Sequence, residues 1–133
     1  MKRLLLTAGL FAALACPYVY AQTSTAVANV PFDFRMGKTL MPAGKYTVKD
    51  SGGVVTVRED SGLKSAVQIT LPTERSQVNA QPSLTFNKYG SDYFLSAIWT
   101  PNSHEGRSLP KSQLEKELIS HAGLVQTASI DLR

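Results

Sequence analysis

The sequence has little cysteine: its only one, Cys16, lies in the apolar segment near the N-terminus. Residues 22–133 therefore carry no thiol, although an exported protein could have used disulfides. This absence excludes thiolate metal sites and cysteine nucleophiles from that part of the chain.

Runs of like charge are also missing. The net charge of +4 includes Lys2 and Arg3 at the N-terminus, and the remaining charges are dispersed. A clustered basic patch is the usual electrostatic footprint of a nucleic-acid-binding protein, so we do not predict nucleic acid as a partner.

The common catalytic and metal-binding motifs are absent as well. The sequence contains no H-E-x-x-H motif, no carboxylate-rich calcium loop, no phosphate-binding glycine loop and no G-x-S-x-G elbow. We therefore predict no metal, no cofactor and no enzymatic activity.

The N-terminus has the three parts of a secretory signal peptide. Met1-Lys2-Arg3 is basic, residues 4–16 are almost entirely apolar, and Val19-Tyr20-Ala21 is a small-x-small cleavage site. We predict a signal peptide over residues 1–21 and a single β-rich domain over residues 22–133, exported to the periplasm or secreted. Cleavage after Ala26 or Ala28 is an alternative.

Two other fates of this segment are less favoured. The apolar run is shorter than the roughly 20 residues of a transmembrane helix, so we predict no membrane-spanning segment in the mature chain. Lipidation at Cys16 would require a lipobox, and Ala13 stands where that motif usually has leucine.

From residue 27 onward, apolar side chains recur at every second position, which is typical of strands with one buried face. Glycine-containing turns separate the runs, and connections this short join antiparallel neighbours. We predict a mostly β fold: a small antiparallel β-sandwich or partly open barrel with one C-terminal helix. Residues 45–71 should form a meander and residues 84–100 a hairpin. The predicted core comprises Phe32, Phe34, Tyr46, Val48, Val55, Val57, Val67, Ile69, Leu84, Phe86, Leu95, Trp99, Leu114 and Leu118.

The helix is predicted from its boundaries. Ser112 and Glu115 have the spacing of a capping box, and Gly123 is a natural stop. The segments 72–82 and 101–110 show no clear period, so we predict that both are long loops, which are often functional.

The first strand, within residues 27–36, should be an edge strand or begin near Pro31, because proline cannot donate to a sheet ladder. Such an edge could add to the sheet of another chain by β-augmentation. Ordinary pairing within the chain is the simpler interpretation.

Exposed aromatic residues suggest a ligand site. Tyr89, Tyr93 and Trp99 could stack on sugar rings from a flat β face, as in carbohydrate-binding modules. The alternative is that Trp99 is a core residue of a strand that is buried on both faces.

His104 and Arg107 lie in the 101–110 segment and complete the candidate ligand-binding set. His104 could be the base of a small hydrolase, with Ser103 or Ser108 beside it. A solvated loop histidine is the simpler interpretation. The second histidine, His121, is expected at the helix C-terminus, where positive charge is favourable.

Two segments resemble short exported bacterial β-proteins of unknown function. They are Val30-Pro31-Phe32-Asp33-Phe34 with Gly37 and residues 40–48, and Tyr93-Phe94-Leu95-Ser96 with residues 99–101 and 106–112. This resemblance implies export and a β fold but no site residues. Residues 42–48 are also similar to a turn-into-strand segment of prealbumin-like and immunoglobulin-like sandwiches.

The sequence thus favours a non-catalytic binding or structural protein of the cell envelope, whose partner would be an envelope protein or a glycan. A glycan-binding module that uses surface aromatics and a small hydrolase centred on His104 remain the alternatives.

Overall fold

The computed structural model describes residues 23–121 and 125–133, so the predicted signal peptide and the predicted stop at Gly123 lie outside the described residues. Its elements, in chain order, are β1 (Thr23–Val30), β2 (Phe34–Met36), β3 (Thr39–Met41), β4 (Gly44–Ser51), β5 (Val54–Glu59), β6 (Ser65–Ile69), β7 (Leu71–Asn79), β8 (Ser83–Tyr89), β9 (Asp92–Trp99), β10 (Ser103–Ser108), α1 (Gln113–His121) and β11 (Gln126–Asp131).

The strands form two sheets. The small sheet has the order β1-β4-β5-β6 and is antiparallel throughout. The large sheet has the order β11-β8-β9-β10-β7, and β2 joins β9 in parallel while pairing with β3. Within the described residues the sheets do not close into a barrel, so the structure confirms the mostly β fold and favours the sandwich over the barrel.

The meander and the hairpin lie where the alternation predicted them, as β4-β5-β6 and as β8-β9. The predicted first strand, which precedes the meander, is divided into two strands. β1 ends at Val30, Pro31 interrupts the ladder, and β2 begins at Phe34 in the other sheet. β1 is an edge strand, as Pro31 indicated.

The core lies between the two sheets. Phe34 packs edge-on against both Tyr46 and Phe86, with ring centroids 5.2 Å and 5.3 Å apart. The Tyr46 hydroxyl is buried among them and donates a hydrogen bond to the Pro42 carbonyl. Burial, together with the negative charges of Glu59 and Asp33, raises the pKa of Tyr46 to about 12.

The sequence pattern predicted the wrong buried face for β6. Val67 and Ile69 were expected in the core but are 63% and 70% exposed, whereas Ala66 is buried. Thr70 fixes this orientation, because its N–H and its hydroxyl both donate to the Gly53 carbonyl, at 2.8 Å and 2.6 Å. A shift of one residue in the register of a strand moves every one of its side chains to the other face of the sheet.

The two predicted loops were also wrong in part. Residues 71–79 and 103–108 pair with each other as β7 and β10, and β10 also pairs with β9. β7 is an edge strand, where Pro72 is tolerated, and most of its exposed side chains are polar, apart from Leu71 and Val78. A polar edge strand shows little alternation of apolar and polar residues, and this alternation is the pattern that predicts a strand from the sequence.

The helix begins where the capping box predicted, since the Glu115 N–H donates to Ser112 Oγ at 3.2 Å. Its packing is different from the prediction. Leu114 is 40% exposed and Leu118 is only half-buried, whereas Glu115 is the buried residue of the helix. In the described part of the chain, no helix is long and apolar enough to cross a membrane.

Candidate functional site

A cleft opens between the two sheets at one end of the sandwich, with a volume of about 270 Å³. Residues of β1 and β4 line one wall, and residues of β9 and β10 line the other. We call this the sheet-end cleft. Its lining comprises Thr25, Ala26, Val48, Asp50, Pro82, Ile98, Trp99, Thr100, Pro101, Arg107, Leu132 and Arg133.

Two of the predicted site residues, Trp99 and Arg107, border this cleft, but their side chains lie on opposite faces of the large sheet. β9 and β10 pair with Trp99 opposite Gly106 and Ile98 opposite Arg107, and successive residues of a strand face opposite sides. Arg107 therefore faces the small sheet, whereas the Trp99 ring lies on the outer face of the large sheet. Arg107 is about one-third exposed and its Nε lies 3.9 Å from Asp50 Oδ2, across the gap between the sheets.

Asp50 is held by its own turn. Its Oδ1 accepts a hydrogen bond from the Gly53 N–H at 3.0 Å, which orients the carboxylate in the β4–β5 connection. Gly53 has a φ of 90°, and a side chain there would meet the Arg107 guanidinium at 3.4 Å. The turn thus needs glycine both for its backbone and to leave room for Arg107.

Trp99 is fixed on three sides. Its indole N–H donates to Thr85 Oγ1 at 2.9 Å, and the Arg75 guanidinium lies 5.1 Å from the ring centroid. The ring also covers Gly106, where an added Cβ would lie 2.3 Å from Trp99 Cε3. The half-buried indole therefore has one defined position on the outer face of the large sheet, beside the cleft.

His104 lies outside the cleft on a shallow groove that Glu74, Ser103 and Glu105 also line. Its Nδ1–H donates to the Arg75 carbonyl at 2.9 Å. A catalytic triad needs the ring bonded to a carboxylate and a nucleophile. Among the described residues, the hydrogen bond of this ring goes to a backbone carbonyl instead, which gives the hydrolase hypothesis no geometric support.

Comparisons with protein-family models, with curated proteins and with solved structures found no match. The function of the cleft must therefore be argued from its own geometry.

The two predicted tyrosines do not join Trp99. Tyr93 is half-buried, stacked on Phe32 at 3.8 Å between ring centroids, with Lys88 over its ring at 5.4 Å. Tyr89 is buried against Phe94, with 5.7 Å between the ring centroids. Its ring is sequestered from solvent, so a flat platform formed by Tyr89, Tyr93 and Trp99 is not present in this structure.

Tyr89 belongs instead to a buried polar cluster beneath α1. Its hydroxyl has no hydrogen-bond partner among the described residues, and Glu115 lies near it. Burial raises the pKa of Glu115, and the charge of Lys111 and the amide of Asn87 oppose that rise. The same burial, together with the Glu115 carboxylate, raises the pKa of Tyr89, and the Asn87 side chain opposes that rise.

Sequence reasoning missed Asp50, Arg75 and Gly106. Asp50 and Arg75 gain their roles only from the tertiary structure, because it brings together residues 25 or more positions apart. Gly106 gains its role from the pairing of β9 and β10, which places it against Trp99. Gly106 offered the nearest signal, as an isolated glycine that follows a polar segment. It was interpreted as part of a loop, whereas a glycine inside a strand marks a close approach by another group.

Proposed function

We propose that the protein is a non-catalytic exported binding protein of the cell envelope, and that its ligand occupies the sheet-end cleft. The observation that carries the proposal is the approach of Arg107 to Asp50 across a cavity between the sheets that Ile98 and Leu132 also line. Export is supported by the leader pattern of residues 1–21, which lies outside the described residues.

The lining of the cleft has the composition of a ligand site. Ile98, Pro101 and Leu132 supply apolar surface. A few convergent polar groups on an apolar wall are what small ligands and peptide segments recognise. Arg107 can donate to an acceptor on the ligand, because its only ion pair in the described residues is long, at 3.9 Å, and partly exposed.

A glycan is the ligand class that a specific observation favours as a second candidate. Trp99 is half-buried on the outer face of the large sheet, beside the cleft, and the Arg75 guanidinium lies near its ring. Sugar rings stack on aromatic faces, while charged side chains hydrogen-bond their hydroxyl groups. A glycan would bind through Trp99 alone, without Tyr89 or Tyr93.

Trp99 is the only tryptophan of the chain and borders the cleft, so its fluorescence can report a ligand that binds there. We would titrate the purified protein with two probe sets: soluble neutral and acidic envelope oligosaccharides, and short acidic peptides. A ligand of the cleft should change the Trp99 emission in a saturable manner. Saturation by the oligosaccharides alone would favour the glycan candidate.

The matched variants are Arg107→Gln in the cleft and Arg58→Gln on β5, where the exposed side chain is outside the cleft lining. Losing one charged hydrogen bond should weaken binding by roughly 10- to 100-fold in Arg107→Gln. Arg58→Gln should bind normally. Equal affinities in the two variants, or an emission change that does not saturate with any probe, would contradict the proposal.

A further inference from the structure

The edge strand β6 combines two features that are usually kept apart. Val67 and Ile69 project into solvent, at 63% and 70% exposure, and Val54 lies beside Ile69 on β5 at 39% exposure. No other strand in the described part of the chain pairs along the outer side of β6. The strand is therefore both unpaired and apolar on its exposed face.

The backbone of β6 presents its hydrogen-bonding groups on that same open side. The Thr70 N–H donates to Gly53 and the Lys64 carbonyl accepts from Glu59, so even-numbered residues bond to β5. Alternate residues of a strand point their backbone groups to opposite sides. Ser65, Val67 and Ile69 thus direct their N–H and C=O groups outward, and the one contact there is a 3.4 Å bond from Gln68 Nε2 to the Ile69 carbonyl.

The other edge of the small sheet is closed. On β1, the Val27 N–H and C=O both bond to the backbone of Arg133 at 2.9 Å. The edge strand β7 of the large sheet contains Pro72, Glu74 and Arg75, residues that discourage pairing. β6 contains neither proline nor charge from Ser65 to Ile69.

We infer that β6 is an interaction edge and that its partner is the β6 strand of a second copy, paired antiparallel about a two-fold axis at Val67. In this register Val67 faces Val67 of the second copy, and Ser65 faces Ile69. Val67 then exchanges both of its free backbone hydrogen bonds with its equivalent.

The charges of this face permit the pairing. Arg58 lies beside Ser65 and Val54 lies beside Ile69 within each copy. The two-fold axis therefore places the Arg58 residues at opposite ends of the joint, with the apolar side chains between them. No like charges stand directly opposite each other, and the pattern is self-complementary, as an isologous contact requires.

Sedimentation velocity of the purified protein tests the inference. A contact of one strand pair is small, so we expect a monomer–dimer equilibrium with a dissociation constant of roughly 10–100 µM. Val67→Lys should weaken association about tenfold or more, because two like charges would face each other at the axis. Val67 is exposed, so the monomer should keep its fold, which circular dichroism would verify.

The register is tested by mixing. Val67→Glu alone should also fail to associate, whereas an equimolar mixture of Val67→Lys and Val67→Glu should form a heterodimer through opposite charges at the axis. Thr127→Lys, on the exposed face of β11, should dimerise like the unaltered protein. A protein that stays monomeric up to about 1 mM, a dimer that survives Val67→Lys, or a mixture that does not associate would each overturn the inference.

Discussion

The protein has two buried layers that are stabilised by different means. Between the sheets the layer is apolar, with Phe86 and Leu95 among its members. Beneath α1, on the other face of the large sheet, the buried side chains are Phe94, Tyr89 and Glu115. Successive residues of a strand face opposite sides, so β8 and β9 contribute to both layers at once.

The contrast shows that burial alone does not make a layer stable. The Tyr46 hydroxyl in the layer between the sheets has an acceptor in Pro42, whereas the Tyr89 hydroxyl beneath the helix has none among the described residues. An unpaired buried polar group reduces the free energy of unfolding. The layer between the sheets therefore stabilises the fold, and the layer beneath the helix contributes less than its burial suggests.

The largest expected difference is between two phenylalanines of neighbouring strands. Phe86→Ala should lower the free energy of unfolding by about 3–5 kcal/mol, because it leaves a cavity between two sheets that cannot approach each other to fill it. Phe94→Ala should cost less, about 2–3 kcal/mol, since the helix above it is not fixed by Leu114 and can settle into the space. Urea unfolding of both variants measures this, and equal losses would contradict the distinction.

The sequence predicted the layer between the sheets well, because apolar side chains at every second residue report directly on a face that packs against another sheet. Phe34, Tyr46, Val55, Val57 and Phe86 are all buried as expected.

The failures have a common physical cause. Glu115 and Thr70 take their positions from partners that lie far away in the sequence, and a hydrophobic pattern does not encode such partners. The same limit applies to the candidate site. Trp99 and Arg107 could be proposed from residue type, but only the tertiary structure brings Arg107 to Asp50 at the cleft, and the register of β9 and β10 places the Trp99 ring on the other face of the sheet.

The two buried tyrosines should respond to the same substitution with opposite signs. Tyr46→Phe removes a hydroxyl that has an acceptor and leaves the Pro42 carbonyl without its donor, so it should destabilise the protein by about 1 kcal/mol. Tyr89→Phe removes an unpaired hydroxyl and should stabilise it by a similar amount, about 1 kcal/mol. Thermal unfolding of the two variants provides the measurement, and destabilisation by Tyr89→Phe would show that its hydroxyl does find a partner.

The smallest expected effect concerns Glu115 and depends on pH. Burial raises its pKa in the folded protein above the ordinary value of 4.5, so the folded state holds this proton more tightly than the unfolded chain does. The associated stability is present below pH 4.5 and is lost as the pH rises through the folded pKa.

Glu115→Gln should therefore remove the loss of stability that accompanies ionisation of Glu115. At neutral pH the free energy of unfolding of the variant should exceed that of the unaltered protein by a fraction of the Phe86→Ala effect. Urea unfolding at a series of values from about pH 4 to about pH 8 measures the difference. Glu117→Gln, at an exposed position of the same helix, is the matched control and should leave the pH dependence unchanged. Parallel curves for Glu115→Gln and the unaltered protein would mean that the layer beneath the helix is open enough to hydrate the carboxylate, and the contrast between the two layers would then disappear.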